Sequence, residues 1–119
     1  MDIAQIQAKL EVFATERDWD QFHSIRNLVL ALVGEAGELA ELIQWVDDSK
    51  IDVFLNEGGR ERLGEEISDA LFYLVRLADK SGIDLDSAIT LKFEKNAVNY
   101  PVDKAKGSSK KYSDLSWSK

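Results

Sequence analysis

The sequence predicts an all-α protein, a four-helix bundle-like domain that associates into oligomers, and three observations carry that expectation. Apolar residues recur at spacings of three and four through four segments. Turn signals separate the segments: Asp47-Asp48-Ser49, Asn56-Glu57-Gly58-Gly59, Gly82 and Pro101. No convincing strand hairpin and no internal repeat interrupts the pattern.

Ile3, Ile6, Leu10 and Phe13 give a first helix with a narrow apolar stripe, ending near Arg17-Asp18. A second helix starts after Trp19-Asp20-Gln21-Phe22-His23-Ser24 and runs to about Val46, its stripe built from Leu28, Leu32, Leu39, Leu42, Ile43 and Val46. The connector over residues 47–59 is too polar and glycine-rich to continue a helix and reads as a mobile loop, with a short turn expected over Ile51 to Leu55. The third helix, about Arg60 to Lys80, holds Leu63, Ile67, Leu71, Leu74 and Ala78 in register, and Gly82 suits a left-handed cap beyond it. The fourth begins at Asp84 or Asp86, whose carboxylates can accept the free N–H groups of a first turn. It continues through Ala88, Leu91 and Lys92 to about Val98, and Pro101 stops it. Residues 1–102 therefore read as the helical domain. Residues 103–119 read as a basic tail, disordered or ordered only by a ligand or neighbouring subunit.

Helices two and three are apolar over wider arcs than a small monomeric bundle needs, with Leu28, Val29, Leu30, Leu32 and Val33 clustered, and Leu71, Phe72, Tyr73, Leu74 and Val75 likewise. Oligomerisation would bury the excess. Gly34 and Gly37 point the same way, because glycine inside a helix costs about 1 kcal/mol relative to alanine and is best tolerated where a helix, metal or ligand approaches closely.

A chain of 119 residues, 45% hydrophobic, suits one domain with a real core. Its net charge of −7 argues against nucleic acid or an anionic membrane as the main partner. The charge is unevenly spread: residues 1–102 carry −10 and residues 103–119 carry +3, so the tail suggests a clamp for an anion or for the acidic body. With no cysteine, disulfides, thiolate metal sites and thiol nucleophiles are excluded. Met1-Asp2-Ile3-Ala4-Gln5-Ile6 has no basic region leading into an apolar one, and no apolar run approaches the length of a membrane span, so a cytoplasmic location is expected.

The chemistry concentrates in two carboxylate pairs, Glu35-Ala-Gly-Glu38 on helix two and Glu66-Ile-Ser-Asp69 on helix three. Residues at i and i+3 on a helix are surface neighbours, roughly 5–6 Å apart at Cβ, so each pair aims two oxygens at one point. A single Glu-x-x-Glu is usually a solvated face. Two pairs set among Val33, Ala36, Leu39, Ala40, Ile67, Ala70 and Leu71 suit a half-buried face instead, with Glu41 and Glu65 as spare acids. Four converged carboxylates must bind cations, take up protons or stay apart. A di-iron bundle wants Glu-x-x-His, and the only histidine, His23, does not follow a glutamate by three. Oxygen-only ligation suits Mg2+ or Mn2+, which commonly share coordination with substrate phosphates, although no Walker loop is present.

These pairs, embedded in Leu-Val-Gly-Glu-Ala-Gly-Glu-Leu-Ala-Glu and Glu-Glu-Ile-Ser-Asp-Ala-Leu-Phe-Tyr-Leu, resemble the MazG-like all-α nucleoside triphosphate pyrophosphatases over nearly the whole chain. Arg17-Asp18-Trp19-Asp20-Gln21-Phe22-His23, Arg26-Asn27-Leu28, Gln44-Trp45, Lys92-Phe93-Glu94-Lys95-Asn96 and Tyr100-Pro101 are most similar to the dCTP pyrophosphatase branch. The resemblance implies hydrolysis of a nucleoside triphosphate between its α and β phosphates, a homotetramer built from dimers, and Mg2+ held by Glu35, Glu38, Glu66 and Asp69. Glu38 or Glu41 would take the proton of the attacking water.

By default Trp19 and Trp45 are core or interface aromatics, His23 a satisfied polar side chain and Lys92 a solvated lysine. The resemblance instead implies a nucleotide pocket formed by Trp19, His23, Arg26, Asn27, Trp45 and Tyr73, with Lys92 and Asn96 reaching sugar or phosphates. Two positions depart from the family pattern. Asn99 stands where many relatives have Arg or Lys, and Leu10 replaces a histidine of the vertebrate enzymes. The competing class is a noncatalytic helical module that binds nucleotide or metal without turnover.

Overall fold

A computed structural model describes residues 1–115 and is all-helical over them, in two compact units, Met1–Ile83 and Asp84 onward. In the first unit α1 (Ile3–Glu16) is started by Asp2, whose side chain accepts from the Gln5 N–H while the Gln5 side chain accepts from the Asp2 N–H. Asp18 follows in the left-handed region at φ 55°, with its carbonyl and carboxylate both accepting from the Gln21 amide. A 3-10 turn, Asp20–Phe22, then leads into α2 (Ile25–Ile43), capped by Ser24 accepting from the Asn27 N–H. That cap is worth about 1 kcal/mol.

The second helix ends three residues short of the expected Val46. Asp47 adopts an extended backbone and accepts from the Ser49 N–H, which starts a new turn in competition with the helix. The connector is likewise not a loop, although the short turn expected over Ile51 to Leu55 is present within it. It forms a 3-10 turn (Asp48–Lys50), a short helix α3 (Ile51–Phe54) and a wide turn (Leu55–Gly59) running directly into α4 (Arg60–Lys80). Half-buried Ile51, Phe54 and Leu55 give this segment an apolar anchor that its polar composition conceals. Gly58, at φ 94°, makes the kink, and Gly59 is buried where any Cβ would lie 2.3 Å from the Phe54 carbonyl oxygen.

α2 packs along α4, and α1 also lies against α4. Ala14, Leu28, Val75 and Ala78 are buried between them. Complete burial of Leu28 and Val75 stabilises the unit by roughly 2 kcal/mol each. The core is small, and Val29, Leu30, Val33, Ile67, Leu71 and Leu74 remain exposed on α2 and α4. Open space surrounds Gly34 and Gly37: an added Cβ would meet nothing within 4 Å among the described residues, so no neighbour in this chain accounts for the two glycines.

In the second unit α5 (Leu85–Asn99) is capped by Asp84, which accepts from the Asp86 and Ser87 N–H groups. Pro101 ends it and starts one turn, α6 (Val102–Ala105). The tail, expected to be disordered or ordered only by a ligand or neighbouring subunit, takes local structure as far as Leu115. Tyr112, in the 3-10 turn Tyr112–Asp114, meets the Tyr100 ring edge-on at 6.0 Å, and Leu115 is buried. The rest of the predicted tail lies outside the described residues. No helix among the described residues is long and apolar enough to cross a membrane.

Candidate metal centre and adjoining cavity

The packing of α2 on α4 turns the two sequence motifs toward each other. One ligand atom from each of Glu35, Glu38 and Glu66 can be chosen so that all lie within 4.8 Å of one another. Asp69, one turn beyond Glu66, is outside this set, but its charge still acts on Glu35 and Glu66. Glu41 is exposed on α2, and Glu65 lines a shallow depression on α4 with Glu61, Gly64, Ser68 and Asp69.

The carboxylates are strained electrostatically as they stand. Burial first, and then the Glu38 carboxyl, push Glu35 up from 4.5 to about 7. Glu66 is raised as well, chiefly by hydrogen bonding with Glu38 and then by desolvation. One oxygen each of Glu35 and Glu66, Oε2, is buried with no hydrogen-bond partner among the described residues. A buried carboxylate oxygen without a donor is costly, and a cation is what repays it. The donor set is entirely carboxylate oxygen, which fits a hard divalent ion.

Beside this cluster lies a cavity of about 330 Å3 lined by Leu10, Phe13, Ala14, Trp19, His23, Asp69, Phe72, Tyr73 and Arg76. Asp69 joins the two features, since it lines the cavity and acts on the carboxylates. Trp19 meets Phe13 edge-on at 5.6 Å and His23 at 6.5 Å, so the turn after α1 carries an aromatic wall. Burial, followed by the charges of Glu35, Asp69 and Glu38, raises Tyr73 and keeps its phenol protonated.

Of the pocket residues expected from sequence, Trp19, His23 and Tyr73 therefore meet in one cavity. Within the same unit, Arg26, Asn27 and Trp45 do not line it. Asn27 donates its side-chain amide to the Phe22 carbonyl at 3.0 Å and so secures the turn that carries His23. Arg26 is exposed on α2. Trp45 is 89% exposed, in a shallow depression with Gln44, Val46, Asp47 and Asp48. Lys92 and Asn96 stand one turn apart on α5, in the second unit. The sequence reading missed Arg76, which is buried against the cavity. The signal was available: the three-and-four spacing that joins Glu66 to Asp69 continues to Tyr73, Arg76 and Lys80, so one face of α4 carries all five.

An all-helical chain with a carboxylate cluster whose geometry could hold a cation, beside an aromatic cavity, is the class that fold and site define. Residues 31–115 match the MazG-like family, and the chain belongs to that family. It is 49% identical over 115 residues to dCTP pyrophosphatase 1 of Rattus norvegicus, covering 96% of this chain, and 49% identical over 116 residues to the Homo sapiens protein of the same name. The chain spans 66% of the length of these curated relatives. Among solved structures it resembles a pyrophosphatase from Archaeoglobus fulgidus with a TM-score of 0.75 and 33% identity, over 82% of this chain and 91% of that one.

Proposed function

We propose that this chain hydrolyses nucleoside triphosphates, dCTP or related deoxynucleotides foremost, to the monophosphate and pyrophosphate, with Mg2+ as the cofactor and Mn2+ able to replace it. The observation that carries this reading is the pair of buried, partnerless Oε2 atoms on Glu35 and Glu66 within a three-carboxylate cluster. A cation bound there supplies neutralisation of the triphosphate and polarisation of the α-phosphoryl group and the attacking water. The names of the relatives and of the solved neighbour support the same reaction class.

The chain's own residues divide the remaining tasks. Glu35, Glu38, Glu66 and Asp69 hold the cation, with Asp69 at the boundary between cluster and cavity. Glu38, exposed at the edge of the cluster, takes the proton of the attacking water, with Glu41 one turn further along α2 as the other candidate. Trp19 and Tyr73 enclose the base, and Leu10, Phe13 and Phe72 keep water from its faces. For Arg26, Asn27, Trp45, Lys92 and Asn96, assignment to nucleotide binding rests on the family resemblance.

The partner implied besides nucleotide is a second copy of this chain. The exposed apolar side chains of α2 and α4 favour association, and a homotetramer made of two dimers is the proposed assembly. The acidic balance disfavours nucleic acid, and the proposed location is the cytoplasm. The direct test is a screen of the eight common NTPs and dNTPs with Mg2+, scored for products. Monophosphate plus pyrophosphate is expected. Orthophosphate would place the cut at another bond, and binding without turnover would leave a noncatalytic module.

A further inference from the structure

Arg76 is the one buried charged residue among the described residues, and its guanidinium is held from three directions. Nε donates to His23 Nδ1 at 3.1 Å, one terminal nitrogen donates to Asp20 at 2.6 Å, and the other meets Asp79 at 3.5 Å. The carboxylates that grip it are themselves held: Asp79 accepts from the Gln7 amide of α1 at 2.7 Å, and Lys80 also donates to Asp20. Three residues thus fix the guanidinium directly, and Gln7 and Lys80 hold two of those three, before any ligand arrives.

A guanidinium has donors and no acceptor, so the imidazole nitrogen facing it must present a lone pair. A neutral imidazole then carries its single hydrogen on the other nitrogen. Among the described residues no protein acceptor meets that Nε2, on a ring that lines the cavity. We infer that Arg76 is a positioning residue that locks His23 as the neutral Nε2–H tautomer, so that the cavity offers one fixed donor to an acceptor atom on the base ring of the bound nucleotide. The inference rests on the triphosphate reading for its ligand, but not for the tautomer itself.

The electrostatics agree. Burial first, and then the Arg76 charge, hold the His23 pKa below its usual 6.5; Lys80 acts in the same direction and Asp20 opposes them. Tyr73 and Asp69 are the other titratable groups of the cavity. The apolar walls Leu10, Phe13, Trp19 and Phe72 suit a flat ring, and an acceptor on that ring is either a carbonyl oxygen or a ring nitrogen.

The chain has a single histidine, so 15N labelling of histidine reads this ring alone. At pH 7 the wild-type spectrum should show a lone-pair-type Nδ1 and a protonated Nε2, without averaging. Arg76→Gln, whose amide both donates and accepts, should show averaged signals. Where that variant fails to fold, two others carry the test. His23→Asn keeps an oxygen able to accept from Arg76 but removes the outer donor, and His23→Gln restores an N–H near the Nε2 position. For dCTP, His23→Asn should raise KM roughly tenfold, more than any fall in kcat, with much of the loss recovered in His23→Gln. A wild-type ring that is charged, averaged or protonated at Nδ1 would overturn the inference, as would an unchanged KM in His23→Asn. Since the NMR experiment uses no nucleotide, failure to hydrolyse any triphosphate would overturn the enzymatic reading separately while the spectrum still decided the role of Arg76.

Discussion

Replacing Glu35 by Gln separates a cation site from a merely acidic surface, because the two make opposite predictions for stability with and without metal. The Glu35 carboxyl, ordinarily at 4.5, is raised to about 7 by burial and by Glu38, so the folded chain binds this proton more tightly than the unfolded chain does. Without cation, stability is therefore highest below 4.5, is lost as pH climbs through about 7, and changes no further above that. Ligand atoms within 4.8 Å set the size of the effect. Unit charges at that distance repel by roughly 3–4 kcal/mol at an effective dielectric of 20 and by under about 1 kcal/mol in water. Because Glu38 is exposed, the lower part of that range applies, about 1–2 kcal/mol. In EDTA at pH 8, Glu35→Gln should thus melt about 3–8 °C above the wild type, and at pH 5 the two should nearly coincide. Adding Mg2+ or Mn2+ at pH 8 should reverse the order, stabilising the wild type and leaving the variant almost unmoved. Thermal unfolding followed by circular dichroism reads all three conditions. A variant less stable than wild type in EDTA at pH 8, or one stabilised equally by the cations, would refute the electrostatic argument.

Other perturbations probe the scaffold and the cavity. Leu28→Ala empties the space of a fully buried side chain in the first turn of α2 and should cost about 2–5 kcal/mol in urea unfolding while leaving the metal requirement intact. Gly59→Ala drives a methyl against the Phe54 carbonyl and ring and should destabilise by about 1–3 kcal/mol or more, visible as a lower urea midpoint. Trp19→Ala should raise KM for dCTP by roughly 5- to 100-fold, more than it lowers kcat, if the indole encloses the base. Acid should loosen the turn after α1 in two steps. His23, held below 6.5 mainly by burial, removes stability as pH falls from 6.5, and Asp20, held below 3.8 mainly by its hydrogen bond to Lys80, does so as pH falls further; hydrogen exchange of residues 19–23 should speed up accordingly, and Asp20→Asn should abolish the lower step.

The long helices and both acidic motifs were legible because their signals are local. Spacing in Ile3 to Phe13, the Ser24 and Asp84 caps and the left-handed Gly82 mark boundaries without help from the rest of the chain. The connector misled because its polar and glycine content outweighed Ile51, Phe54 and Leu55, whose half-burial comes with the packing of α3 against the turns on either side of it. The tail misled similarly, since a lone Tyr112 gives no periodic signal until Tyr100 is beside it. In the site, Glu35, Glu38 and Glu66 were readable from motif spacing, but the separation of Trp45 from the Trp19 cavity was not, because residue type says nothing about which side of a helix end an indole occupies. Arg76 went unread for a physical reason: a charge within Leu74-Val75-Arg76-Leu77-Ala78 looks like an outward interruption of an apolar run unless its partners, Asp20 and His23, are known to lie opposite.

The central claim is that the carboxylates of α2 and α4 form the cation site at which a triphosphate is cut. The measurement that tests it most directly is Mg2+-dependent pyrophosphate release from dCTP by the wild type, Glu38→Gln and Asp69→Asn, with circular dichroism of each. The account predicts release by the wild type and its loss in both variants, with helicity unchanged. Retained turnover in both folded variants would contradict it.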